Sequence, residues 1–274
     1  MIRLFQFPPA MGLPNASGFC LKLETWLRMA GLPYQNVHTM NLARAPKGKL
    51  PHVDDDGVAV ADSGFIIEHL TQRYGVTLDR HLDAGARAQS LLLQRALEEH
   101  LYWCMLYFRW ADDRYWPATR EAFFGALGAP RSWFVPALVR KAMVKQVSSA
   151  GIGRHSTEEV VTLAMQDVGA LATVLGDKPF LFGAPSSIDA SAYGMLANLL
   201  FVDIDLPLKR RVIQDFPKVV AYCERMRQVY WHQSLTQLPA HPDAPAGAGV
   251  QPSRASCSSS LPASAMKSVM RLRS

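Results

Sequence analysis

The chain lacks the run of about 20 apolar residues that a membrane-spanning helix needs. Its most apolar late stretch, residues 190–202, contains Asn198 and is flanked by Asp189 and Asp203. Cysteine is sparse. Cys20, Cys104, Cys223 and Cys257 show no Cys-x-x-Cys spacing, which excludes a small disulfide framework and suits a reducing compartment. No His, Cys and Asp residues cluster at ligand spacing, so no metal is expected. A Gly-x-Ser-x-Gly elbow is missing, which argues against a serine hydrolase. The turn 151–156 matches no phosphate-loop signature. Along the chain the basic residues are scattered: the net charge is +6 over 274 residues, with no long basic block interleaved with aromatics. Nucleic acid is therefore not an expected partner. No signal-peptide pattern precedes the first apolar run, and the expectation is a soluble, cytoplasmic protein.

Hydrophobic residues make up 49% of the chain, enough for a sizeable core. Residues 2–7 read as a strand ended by Pro8-Pro9. Residues 19–30 read as a helix, since Leu23, Trp26, Leu27 and Ala30 share a face and Gly31 and Pro33 come next. A second strand is expected at 35–40 and a short helix at most within 41–49. Residues 52–60 read as a hairpin turning at Asp55-Asp56-Gly57. A helix over 63–74, stopped by Gly75, completes a β-α-β-(α)-β-β-α order.

Strand signals then vanish. Residues 100–116 read as an aromatic-rich helix, and Pro117, Pro130 and Pro136 break the region beyond it. Ser156-Thr157-Glu158-Glu159 is a capping box, and Ser186-Ser187-Ile188-Asp189 repeats it with a shorter acid. A last helix starts near Pro217. The expected organisation is an α/β unit at 1–78, an all-α unit at 86–238, and a Pro-, Ala-, Gly- and Ser-rich tail at 239–274 with too little apolar surface to order itself.

This layout resembles the glutathione-transferase superfamily from Ile2 to about Leu238. The runs 19–31 (Phe-Cys-Leu-Lys-Leu-Glu-Thr-Trp-Leu-Arg-Met-Ala-Gly), 151–156 (Gly-Ile-Gly-Arg-His-Ser) and 188–191 (Ile-Asp-Ala-Ser) are similar to its failed-axon-connections and metaxin-like branch. The resemblance implies a thioredoxin-like domain followed by an all-α domain, glutathione as co-substrate, and a site for each part of that peptide.

For the thiol, Ser17 is the expected catalytic hydroxyl: it precedes a helix, whose free N–H groups and positive dipole end favour a thiolate. Phe5-Gln6-Phe7 offers no tyrosine for that role. Cys20 stands where a glutaredoxin-like pair has its second cysteine, but Ser17 replaces the first, so disulfide exchange is not expected. Gly18, where the family often has Pro, is expected to loosen the turn. For the peptide backbone, a cis Leu50-Pro51 bond is expected to expose the Leu50 N–H and C=O for strand-like pairing. Lys49 is placed to meet the glycyl carboxylate. For the γ-glutamyl end, Asp62 and Ser63 open a helix, an anion-binding position.

The expected second substrate is a small apolar electrophile held among Tyr102, Trp103, Tyr107, Phe108, Trp110, Tyr115 and Trp116, with Arg109 and Arg114 expected to be solvated. A homodimer is expected by family habit. The competing expectation is a non-catalytic, metaxin-like binding or assembly module on the same fold.

Overall fold

A computed structural model describes residues 1–125 and 127–231. The expected tail at 239–274, which holds His241 and Cys257, and the expected helical end at Leu238 lie outside the described residues.

Four strands form one mixed sheet in the order β2-β1-β3-β4. They are β1 (Ile2–Gln6), β2 (Tyr34–His38), β3 (His52–Asp55) and β4 (Val58–Ala61). β1 runs parallel to β2 across helix α1 (Gly18–Met29) and antiparallel to β3, which returns as β4. Asp56 and Gly57 make that return with φ of 52° and 88°, the left-handed geometry that an Asp-Gly turn accommodates. Helix α2 (Ser63–Tyr74) ends at Gly75 with φ 64°. Ile2, Leu4 and Val53 alternate onto one sheet face and pack against Leu23, Trp26 and Leu27 of α1 and Ile66 and Leu70 of α2. This is the thioredoxin-like unit that the sequence leads one to expect.

The rest is helical. Helix α3 (Ala84–Arg95) continues through a π-turn at Ala96–Leu101, α4 (Tyr102–Leu106) and a second π-turn at Tyr107–Ala111. The expected helix over 100–116 is thus corrected at its end. The chain leaves helical geometry at Asp112, whose carboxylate accepts the Arg114 N–H at 3.0 Å and fixes a turn. Helices α5 (Trp116–Phe124) and α6 (Arg131–Ser149) then form a hairpin against the second π-turn. Pro136, expected as a breaker, lies inside α6. Proline has no N–H for the carbonyl four residues back. That carbonyl, of Ser132, accepts a long 3.5 Å bond from Arg120 instead.

Helices α7 (Thr157–Leu175), α8 (Ser187–Leu200), α9 (Pro207–Asp215) and α10 (Pro217–Trp231) complete the described chain. The Ser156–Glu159 box caps α7 through bonds of 3.2 and 2.8 Å. At α8, Asp189 accepts from the Ser186 N–H and hydroxyl and also from the Leu181 N–H and the Tyr222 hydroxyl. Burial raises its carboxyl above the ordinary range.

Helix α8 is buried from Ile188 through Leu200, and α1 crosses it closely. A Cβ on Gly194 would lie 2.6 Å from the Gly18 carbonyl oxygen, and one on Gly18 would lie 2.6 Å from the Met195 sulfur. Gly18 therefore does not loosen the turn, as expected from sequence. It is helical, and its carbonyl lies so close to α8 that Gly194 has no room for a side chain. Lys22 of α1 and Glu98 of the first π-turn form a 2.6 Å ion pair between the two domains, with 1% and 6% of their side chains exposed.

Candidate functional site

The sheet register decides which segments meet. Phe5 pairs with His52, and His52 pairs with Ala61, so the end of β1, the start of β3 and the end of β4 lie at one edge of the fold. The turn before β3 carries Leu50-Pro51, in cis as expected, and the residues after β4 are Asp62 and Ser63. Cys20 in the first turn of α1 packs against Leu50 and Ala45. The head of α1, the cis-proline turn and the head of α2 thus converge.

Ser17 is the N-cap of α1, half-buried, with extended backbone at φ −96° and ψ 118°. Its hydroxyl oxygen accepts the Cys20 N–H at 3.4 Å. A hydroxyl has one proton to donate besides its lone pairs, so capping does not itself use the O–H, and the Cys20 sulfur is one neighbouring acceptor for it. Cys20 itself is fully buried, and burial pushes its thiol up to about 12 against weaker opposing pulls from Ser17 and Phe7. It is a packing residue, as its position in the helix implies.

The loop that carries Ser17 is held by a buried polar network that sequence inspection did not single out. Asn15 accepts the Ser17 N–H at 2.9 Å and donates to the Phe7 carbonyl at 2.8 Å and to Gln6 at 3.3 Å. Gln6 donates to Glu24 and Asn36. From the helical side, Asn198 donates to the Asn15 carbonyl at 3.2 Å. Arg109 donates to the Ala16 carbonyl at 2.6 Å and to the Asn198 carbonyl and side-chain oxygens, each at 2.9 Å.

Arg109 was expected in solvent, yet it is 5% exposed. Its acceptors are all neutral, and it forms no ion pair among the described residues. Burial lowers its guanidinium to about 10, so it stays protonated at neutral pH. A buried cation with no carboxylate stands directly behind the residue preceding Ser17. One signal was available: Asn198 is a polar residue interrupting the apolar stretch 190–202. Arg109 had none, because its burial depends on the two-domain packing.

At the cis-proline turn, Leu50 is 8% exposed as a whole residue, and among the described residues neither its N–H nor its C=O has a hydrogen-bond partner. Lys49 is exposed, with no ion pair among the described residues. Asp62 is exposed and holds φ at 81°, a left-handed value that costs a non-glycine residue free energy. Its carboxylate accepts the Gly64 N–H at 2.9 Å and caps α2. Ser63 is 5% exposed, which leaves little of its hydroxyl open.

Of the aromatic candidates, Tyr102 reaches the head of α1: its ring meets Phe19 edge-on at 5.0 Å. Burial pushes its phenol up to about 12. Phe108 is fully buried, and Trp110 packs with Trp116, Phe123 and Phe124 at the base of the α5–α6 hairpin. Both belong to the core. Arg114 is bound to Asp112 at 2.6 Å, and no described group of three or more His, Cys, Asp or Glu residues forms a metal cluster.

A thioredoxin-like sheet joined to a helical domain, with a cis-proline beside two helix heads, defines the glutathione-transferase fold. Family models agree: the glutathione S-transferase N-terminal domain matches residues 18–115 and the glutathione S-transferase C-terminal domain matches residues 164–226. An isoprene-epoxide–glutathione S-transferase of Rhodococcus sp. (strain AD45) is 36% identical, over 84% of this chain and 99% of that protein. Failed axon connections of Drosophila melanogaster is 32% identical over 87% of this chain, which spans only 60% of that longer relative. Metaxin-1 of Mus musculus is 27% identical over 89% of this chain and 80% of its own length. Among solved structures, the apo form of human glutathione-S-transferase T1-1 superimposes with a TM-score of 0.56 at 16% identity, covering 84% of each chain. The chain belongs to the glutathione transferase superfamily and is metaxin-like within it.

Proposed function

We propose that the chain is a glutathione-dependent transferase acting on a small apolar electrophile. The observation that carries this reading is the convergence of an available Ser17 hydroxyl with the unpaired N–H and C=O of Leu50. Together they suit the thiol and the backbone of one short peptide.

Leu50 would receive the peptide backbone in antiparallel fashion, as a sheet edge receives a strand. Lys49 would face the glycyl carboxylate across solvent. The head of α2 would hold the γ-glutamyl carboxylate through backbone N–H groups, since the Ser63 hydroxyl is mostly covered. Asp62 would stand near the α-ammonium while still capping Gly64. Ser17 would donate its O–H to sulfur, and the α1 dipole and the Arg109 charge would favour the thiolate further. The thiol proton passes to solvent water; sulfur then forms a bond to an electrophilic carbon as the bond to the leaving oxygen or halide breaks, and water returns a proton to the released oxygen, while a halide leaves as the anion. Tyr102 and Phe19 would offer the electrophile an apolar wall. Cytoplasmic residence and a homodimer form part of this proposal.

The second reading, a non-catalytic binding or assembly module, is favoured by the covered Ser63 hydroxyl and by the similarity to metaxin-1. Isothermal titration with millimolar glutathione separates the two, followed by conjugation assays with a small epoxide. Binding heat and turnover support the transferase. No heat and no thermal shift establish the module.

A further inference from the structure

The α5–α6 hairpin lies between the residues that the two family domains match, which end at 115 and resume at 164. Its charge is one-sided. Residues 116–149 contain five basic residues and one acid, Glu121, so this segment carries a net +4 of the chain's +6. Along the chain that excess is inconspicuous, but folding gathers it on one projection.

Part of the charge is spent internally. Arg140 binds Asp113 at 2.5 Å and the Trp110 carbonyl at 3.0 Å. The exposed stripe of α6 is what remains. Phe134, Leu138, Lys141 and Lys145 succeed one another at spacings of four, three and four, which places them on one helix face. Trp133 and Ala137 flank them. Trp133 is 76% exposed, Phe134 43% and Leu138 44%, while Lys141 and Lys145 are also exposed. The face therefore opens on the exposed Arg131, is apolar from there through Leu138 and is basic over the next two turns. Residues 125–130, which precede α6 in the chain, carry no charge.

A large exposed tryptophan beside a phenylalanine needs an explanation that a scattered surface leucine does not. A solvated helix would show both charge signs, and α6 contains no acid. Tryptophan and phenylalanine with lysines behind them on one face suit the boundary between acyl chains and anionic headgroups. We propose that the α5–α6 hairpin docks on an anionic lipid surface, with Trp133, Phe134 and Leu138 entering the headgroup boundary and Lys141 and Lys145 meeting lipid phosphates. This is peripheral binding: no described helix is long and apolar enough to cross a membrane. The inference does not depend on glutathione use, because none of these side chains belongs to the candidate site.

The test is co-sedimentation of the full chain with vesicles of phosphatidylcholine alone or mixed with phosphatidylglycerol. The wild-type chain is compared with Trp133→Ser/Phe134→Ser and with Lys141→Glu/Lys145→Glu, and light scattering of each gives its mass. All four positions are exposed, so the variants should keep the wild-type melting temperature. The expected result is salt-sensitive binding to phosphatidylglycerol vesicles that falls about tenfold or more in each variant, with little binding to phosphatidylcholine alone. Equal binding to both vesicle types overturns the proposal, as does binding that both variants retain, which would assign it to another part of the chain. No vesicle binding, combined with a dimer mass that the aromatic variant halves, also overturns it and makes the face an interface between two copies.

Discussion

Replacing Ser17 by Ala separates a cap from a catalytic hydroxyl. The cap bond to the Cys20 N–H is long, at 3.4 Å, and Asn15 and Arg109 hold the loop independently of the Ser17 side chain. The stability cost should therefore sit at the low end of N-cap losses, about 0.5 kcal/mol. For a chain of this size that is a melting shift of roughly 1–2 °C. The loss in rate should be much larger. Removing one preorganised donor to a developing or resident anion costs about 10²-fold or more, equivalent to about 2.7 kcal/mol. Ser17→Gly provides a control, since glycine caps almost as well as serine yet has no hydroxyl. Its stability should match the wild type more closely, and its rate should fall as far as that of Ser17→Ala. Steady-state conjugation of a small epoxide and scanning calorimetry measure the two effects on the same samples. Unchanged turnover in both variants refutes the role given to Ser17. So does a rate loss that merely tracks the fraction unfolded.

Buried charge and buried thiols give four further predictions. Lys22→Met should destabilise the chain by about 3–5 kcal/mol by stranding Glu98 in the interface, and Lys22→Met/Glu98→Leu should recover most of it in a denaturant titration. Arg109→Gln should raise the pKa of the bound glutathione thiol by about one unit, while Arg109→Lys, which keeps the charge, should raise it less; ultraviolet thiolate absorbance reads both. Cys20 and Cys104, each pushed up to about 12 by burial, should resist iodoacetamide in the native chain at neutral pH and react on unfolding, as mass spectrometry would show. Because the folded thiols hold protons that the unfolded chain releases near pH 8.5, their contribution to stability is full below that pH and should be lost as pH rises toward 12.

The thioredoxin-like half was legible because its signals are local. The period-2 alternation of Ile2 and Leu4, the Asp56-Gly57 turn and the stop at Gly75 each act within a few residues. The caps at Ser17, Asp62, Ser156 and Ser186 were legible for the same reason, whereas the cis bond at Pro51 was expected from the family resemblance. Position 136 was misread because a proline in an early helical turn removes one donor, which Arg120 replaces from a neighbouring helix, and sequence spacing cannot show that replacement. Gly18 was misread as flexibility because its partner, Gly194, lies far along the chain. The Asn15–Asn198–Arg109 network was missed, since Asn198 showed only as an interruption of an apolar stretch and Asn15 and Arg109 carry no signal until the two domains pack. What escaped the sequence is thus the set of contacts between the two domains, including the buried charge behind Ser17.

The central claim is that the head of α1, with Ser17 and Arg109, holds a glutathione sulfur as an anion. It is tested most directly by titrating the thiolate absorbance of glutathione bound to the full chain. A bound thiol that ionises at least about one unit below the free value of roughly 8.5 is the predicted result. A bound thiol that titrates at the free value, or glutathione that does not bind at millimolar concentration, contradicts the account.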